Sequence, residues 1–249
     1  MLLTSSLLSS VDGLVHGFTT RHGGLSTPPY DSLNLAWDRG DIERTRSNWN
    51  RVREALGLPD CPVAVVHQVH GKAVVLAEQG GDPLVPQADA DAVITTRPGE
   101  LVAVRTADCV PILLAAPNGV AAVHAGWRGT AKGIAAAAVE RLVEETGCSR
   151  DEIFAAIGPC IGLDAYEVGE EVVSGIGAIL PEEVFVRRGT DRPHVDLKAA
   201  NRAILENAGV SKIEVLPHCS LSDERFFSHR REGTRTGRMA AVIGRRRPC

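Results

Sequence analysis

Between residues 63 and 124 the apolar positions fall in short runs that follow one another closely: Val63 to Val66, Ala73 to Leu76, Ala92 to Thr95, Leu101 to Arg105, Pro111 to Ala115 and Val120 to His124. Runs of this length, rich in valine and isoleucine and bounded by Gly, Pro or Asp, predict strands. Several are too close for a helical crossover, so antiparallel or mixed pairing is expected. Further strands are predicted at Ile153 to Ile157, Glu214 to Leu216 and Met239 to Ile243. The period changes in the alanine-rich segment Thr130 to Thr146, where Ile134, Val139, Leu142 and Val143 form a helical stripe and Gly147 is placed as its stop. Helices are also predicted near Asp41 to Leu56, from Glu167 to Leu180, and from Leu197 to Ala208 with Asp196 as N-cap. The first forty residues are turn-rich, with Arg21-His22-Gly23-Gly24 and Pro28-Pro29 in a loop. Helices laid outside mixed sheets give an α/β (α+β) fold, and no repeat or linker divides the chain, so residues 1–249 are read as a single domain.

Composition narrows the function classes. With 249 residues, 44% hydrophobic and 23% charged, the chain is long enough to bury a sizeable core. Met1 to Leu8 looks like a signal sequence at first glance, but it lacks a basic start and serines interrupt it, so it is expected to fold with the domain. Neither a membrane span nor membrane binding is expected. A net charge of −4 offers no general polyanion field, which argues against nucleic acid. The segment from Arg225 to Arg247 is locally basic and suits phosphate better than DNA, although a solvated face is the simpler reading of Arg230, Arg231 and Arg238. Six cysteines without a C-x-x-C pair predict no disulfide framework and a reducing, cytoplasmic location. The last residues, ending in Cys249, are expected to form a frayed tail.

Three soft-metal donors stand close to strand ends: His70, Cys109 and His124. Two imidazoles and a thiolate are preferred ligands of Zn2+, and three protein ligands leave a fourth position open, as catalytic sites require. The alternatives remain open, since buried cysteines are often inert and strand-end histidines often only satisfy a carbonyl. Cys61, Cys148, Cys160 and Cys219 are read that way. His67 competes with His70; His70 is preferred because Gly71 follows it and permits a close approach. After His124, Ala125-Gly126-Trp127-Arg128-Gly129-Thr130 leads into a helix, where backbone N–H groups and Arg128 suit an anion. The plain reading is a tight turn with Trp127 packed on the sheet.

At these residues the chain resembles the laccase-domain family, also called YfiH-like or multicopper polyphenol oxidase-like proteins. The stretches that carry the resemblance are Phe18-Thr-Thr-Arg-His-Gly-Gly, Ser32-Leu-Asn-Leu, His67-Gln-Val-His-Gly, Ala107-Asp-Cys-Val-Pro-Ile-Leu, His124-Ala-Gly-Trp-Arg-Gly, Ile157-Gly-Pro-Cys-Ile, Phe227-Ser-His-Arg-Arg and Thr236-Gly-Arg. The resemblance implies a layered α/β/β/α sandwich similar to a bacterial toxin deamidase. It implies a zinc site of His70, Cys109 and His124, the same residues acting in catalysis, with Arg128 and Arg230 as substrate contacts. The implied activity is phosphorolysis of adenosine, inosine and methylthioadenosine with phosphate, together with adenosine deamination. A monomer or weak homodimer is expected. Two other chemistries are kept: Cys109 as nucleophile with His124 as base in an amide hydrolase, and copper-dependent phenol oxidation. The second is disfavoured because eight histidines include no His-x-His pair and the only methionines are Met1 and Met239.

Overall fold

The computed structural model describes residues 1–189 and 191–247, so the expectation for the Cys249 tail lies outside the described residues. Strands follow the order β1 (Leu2–Leu3), β2 (Leu14–Thr19), β3 (Val63–Val65), β4 (Val74–Leu76), β5 (Ala92–Thr95), β6 (Leu101–Thr106), β7 (Val110–Ala116), β8 (Gly119–Ala125), β9 (Phe154–Ile157), β10 (Val186–Arg187), β11 (His194–Val195), β12 (Lys212–Val215) and β13 (Met239–Arg245). The helices are α1 (Ser6–Ser9), α2 (Ile42–Ala55), α3 (Trp127–Ala131), α4 (Ile134–Thr146), α5 (Glu170–Gly177), α6 (Leu197–Asn207) and α7 (His229–Glu232).

Two mixed sheets form the centre, ordered β1-β2-β13-β6-β3 and β12-β9-β7-β8-β5-β4, beside a small β10-β11 ribbon. Pleated strands send alternate side chains to opposite faces, and β6 illustrates the result. Leu101 and Ala103 join Trp49 and Val52 of α2 in one apolar layer, whereas Val102 and Val104 meet Val93, Leu113 and Ala122 of the other sheet. A third layer lies between the six-stranded sheet and α4, α5 and α6, through Ile112, Val123, Val139, Ile176 and Leu205. These layers give the expected α/β/β/α sandwich. Strands covered on both faces read as continuous apolar runs, which explains why every residue of β6, β7 and β8 is buried.

Helix α2 begins where Asp41 accepts the N–H groups of Glu43 and Arg44, and it buries Thr45, Asn48, Trp49 and Val52 along one face. Asp196 caps α6 in the same way. The segment predicted as one helix from Thr130 to Thr146 is two, because Gly133 at φ +76° breaks the run between α3 and α4. The helix predicted from Glu167 to Leu180 is shorter: Glu167 bridges His194 in extended backbone, and α5 starts only after Gly169. The turn-rich reading of the first forty residues missed β2, whose His16 and Gly17 blur the apolar pattern although it pairs centrally with β13.

Gly24 has no room for a side chain, since a Cβ there would lie 2.2 Å from the Ser32 carbonyl oxygen. Gly158 likewise faces the ring of Phe18 at 2.3 Å. These glycines serve close packing. Cys61, Cys109, Cys148, Cys160 and Cys219 are free, and no helix among the described residues is long and apolar enough to cross a membrane.

Candidate functional site

The chain passes from the five-stranded to the six-stranded sheet between β3 and β4 and again between β6 and β7. His70 lies in the first crossing and Cys109 in the second. His124 lies near the end of β8, directly opposite Pro111 of β7. The three donor atoms thus converge to within 4.8 Å of one another. Only Cys109 stands as expected, in a turn beside a strand; His70 is five residues beyond β3, and His124 is still inside β8.

Asp91, missed in the sequence, organises this convergence. Its carboxylate is fully buried and accepts the His124 Nδ1–H at 2.8 Å. It also accepts the backbone N–H groups of Val69, His70 and Gly71 at 3.3, 3.0 and 2.6 Å. Burial alone would raise its pKa, but the bonds from His124, Gly71 and His70 outweigh that and hold it below the usual carboxylate value. With Nδ1 engaged, the His124 Nε2 is free to face the other donors. The sequence signal was an aspartate inside the run Ala90-Asp91-Ala92-Val93-Ile94, because a buried charge among apolar residues requires partners.

His70 adopts φ +58° and Asp108 φ +93°, both in the left-handed region. The Asp91 carboxylate holds the first of these turns. Ser220 Oγ and the Arg230 N–H hold Asp108 by donating to its carboxylate at 2.5 and 2.6 Å. Gly71 therefore matters less for close approach than for its N–H. The close approach belongs to Gly126, where a Cβ would lie 2.9 Å from the His70 ring and 3.0 Å from the Cys109 sulfur. His67 instead turns to Asp89, at 2.8 Å, with its side chain half exposed.

The donor set fits a zinc ion. Ligand atoms around tetrahedral zinc lie about 3.3 to 3.8 Å apart, and the Cys109 Sγ to His70 Nε2 distance is 4.0 Å. The rings of His70 and His124 meet edge to face at 4.9 Å between centroids. Burial pushes the Cys109 thiol up, but the charges and hydrogen bonds of His124 and His70 overcome this and bring it down to about 6. Burial lowers His124, while Cys109 and Asp91 raise it more strongly. An ionised thiolate beside imidazoles is the form that binds metal.

The cluster opens on a cavity of about 560 Å³. Asp108, Tyr166, His229 and Arg230 line it near Cys109, and Trp37, Arg39, Arg105 and Arg238 continue its wall. The reading of Arg238 as a solvated face is therefore corrected, whereas Arg230 lines the cavity and is still exposed. Arg231 instead donates to the carbonyls of Ser220, Leu221 and Phe226. Arg230 lies over the Tyr166 ring, 5.2 Å from its centroid, and donates to the Glu167 carbonyl. Burial is the main cause that pushes the Tyr166 phenol up to about 12. Arg128 is exposed at the start of α3, stacked 4.3 Å over Trp127, and is not part of the cavity wall. Trp127 packs beside Gly175 of α5.

The chain matches the family described as "Multi-copper polyphenol oxidoreductase laccase" over residues 15–246. It is 45% identical over 233 residues to a purine nucleoside phosphorylase of Deinococcus radiodurans, covering 92% of this chain and 88% of that protein. It is 41% identical to the purine nucleoside phosphorylase YfiH of Shigella flexneri, covering 90% and 91%. The crystal structure of YlmD from Geobacillus stearothermophilus superposes with a TM-score of 0.90 at 36% identity, covering 98% and 94%. Fold, motifs and these relatives agree, and the chain belongs to the multi-copper polyphenol oxidoreductase laccase family.

Proposed function

We propose that this protein is a zinc-dependent purine nucleoside phosphorylase that acts on adenosine, inosine and methylthioadenosine and also deaminates adenosine. The observation that carries the reading is the convergence of His70, Cys109 and His124 on a cavity whose wall also presents several arginines. The names of the most similar relatives support the same reaction class. His70, Cys109 and His124 are the proposed ligands of the metal. Zinc bound there would supply a Lewis acid with one open coordination position.

The remaining residues bind and orient. Asp91 fixes the His124 tautomer and the turn that carries His70. Tyr166 stays protonated at neutral pH and offers a ring face and an O–H to a purine. Arg230 contacts the substrate beside that ring. Arg128, the other proposed contact, lies outside the cavity wall. A phosphate oxygen attacks the ribose anomeric carbon, the bond from that carbon to the base nitrogen breaks, and the leaving base takes the electron pair and a proton. Asp108, beside Cys109 on the cavity wall, is a candidate group for that proton.

A second reading has its own support, because Asp91, His124 and Cys109 also stand in the order orienting group, base and thiol. An amide hydrolase would use Cys109 as nucleophile without metal. Copper-dependent phenol oxidation draws no such support: among the described residues one group of three donors is found, whereas a multicopper oxidase needs several. Copper binding to the soft His2Cys set remains compatible with the donors.

The deciding experiment combines metal content with the products of adenosine incubated with and without phosphate. Near-stoichiometric zinc and phosphate-dependent release of adenine and ribose 1-phosphate are expected, with loss of both nucleoside activities in Cys109→Ala. Full activity after chelation would overturn the zinc assignment in favour of the thiol nucleophile.

A further inference from the structure

Three guanidinium groups stand on the cavity wall, and two of them, Arg105 and Arg238, lack the carboxylate partners that buried arginines normally have. Arg105, on β6, is 8% exposed, and its one side-chain hydrogen bond is a long one of 3.4 Å to the Val66 carbonyl. Arg238 donates only to the carbonyls of Thr236 and Gly237, at 3.4 and 3.0 Å. Arg39 donates to the Thr234 carbonyl, and its nearest carboxylate is Asp38 at 3.6 Å, outside hydrogen-bond reach. Among the described residues no carboxylate comes within 4.0 Å of Arg105 or Arg238. The Arg39 Nε–H and the Trp37 indole N–H are buried without an acceptor.

The fold builds this arrangement deliberately enough to fix it in place. Arg238 directly precedes β13, whose Met239 and Ala240 pair with Thr106 and Arg105. Buried Asn34 ties the loop carrying Trp37 and Arg39 to the same strand. Its amide Nδ2–H donates to the Arg39 carbonyl at 2.8 Å, and its Oδ1 accepts the Arg238 N–H at 3.0 Å. Gln68 clamps the Arg105 backbone from the other side, donating to its carbonyl at 2.7 Å and accepting its N–H at 2.9 Å. Like charges held together out of water are unfavourable unless an anion joins them. Burial is the main cause that pulls Arg105 down to about 10; the Asp38 carboxylate opposes it, and Arg238 and Arg39 add to it, so that Arg105 is still a cation at neutral pH.

We propose that Arg39, Arg105 and Arg238 form the binding site for the inorganic phosphate that attacks the nucleoside. The assignment rests on the phosphorylase reading for its role, and on the guanidinium cluster, with Arg105 and Arg238 free of carboxylate partners, for its anion. Tetrahedral phosphate presents several acceptors to forked donors, which suits guanidinium better than a single carboxylate would. The site differs in place from Arg128, which lies off the cavity wall, and from Arg230, which faces Tyr166.

The test is a titration of the zinc-loaded protein with inorganic phosphate, followed by calorimetry, alongside steady-state phosphorolysis of inosine. Arg105→Gln and Arg238→Gln should each weaken phosphate at least about tenfold, the loss of one hydrogen bond to a charged group. The KM for inosine and the zinc content should hold. Arg39→Gln, on a more exposed side chain, gives the same reading should Arg105→Gln unfold. Arg231→Gln, whose side chain serves carbonyls away from the cavity, should bind phosphate as the unmodified protein does. Unchanged phosphate affinity in Arg105→Gln and Arg238→Gln, or loss confined to Arg230→Gln, overturns the site while leaving phosphorolysis standing. Phosphate bound through these arginines without nucleoside cleavage overturns the reaction while leaving the site. No phosphate binding by the unmodified protein overturns the site outright.

Discussion

Replacing Asp91 by asparagine keeps the shape of the side chain and removes its charge, which makes it a sharp probe of how the cluster is held. In the native fold Oδ1 accepts from His124 Nδ1 and the His70 N–H, and Oδ2 accepts from the Val69 and Gly71 N–H groups. Whichever way the amide turns, its NH2 group meets two donors. Two bonds to a charged acceptor are therefore lost, at about 1.5 kcal/mol each, or about 3 kcal/mol in all. For a chain of this size that lowers Tm by about 6–12 °C. Because Asp91 also orients an imidazole of the proposed zinc site, zinc should bind about 10–100-fold more weakly. Thermal unfolding in chelator isolates the first effect, and competition with a chromophoric chelator measures the second.

The sign with pH is fixed as well. Asp91 has a folded pKa below its ordinary value of 3.8. Its contribution is therefore complete above that value and fades as pH falls through the lowered one. The part of the stability gap that comes from the Asp91 carboxylate itself should fade only as pH falls below its ordinary value of 3.8. An unchanged Tm in chelator together with unchanged zinc affinity would refute the role given to Asp91.

Gly126→Ala should lose metal while keeping the fold, since its φ of −70° suits alanine but a Cβ would crowd His70 and Cys109; zinc content against the unfolding midpoint in chelator separates the two. In chelated protein the iodoacetamide reaction of Cys109 should have its midpoint near pH 6, rise toward ordinary thiol values in His124→Ala, and be blocked by zinc; a native midpoint near 9.0, the ordinary value, would count against the thiolate–imidazole pairing. His67→Ala should retain full zinc, because His67 pairs with Asp89 away from the cluster. Gly158→Ala should cost about 1–3 kcal/mol or more by overpacking, measured by denaturant unfolding, since its Cβ would press on buried Phe18.

What the sequence determined by itself was whatever local patterning and donor chemistry encode. Continuous apolar runs marked the doubly covered strands β5 to β8, and Asp41 and Asp196 marked the starts of α2 and α6. His70, Cys109 and His124 stood out because few residue types bind soft metals. Tertiary structure decided what sequence spacing leaves open. Gly133 ended a helix that the alanine pattern continued, because its left-handed φ redirects the chain. His70 prevailed over His67 through the Asp91 carboxylate, a partner 21 residues away. Arg39, Arg105 and Arg238 are far apart in the sequence, and only the pairing of β6 with β13 and the Asn34 tether gathered them on one wall. Residue type sets which chemistry a side chain can perform, whereas the crossings between sheets set which side chains meet.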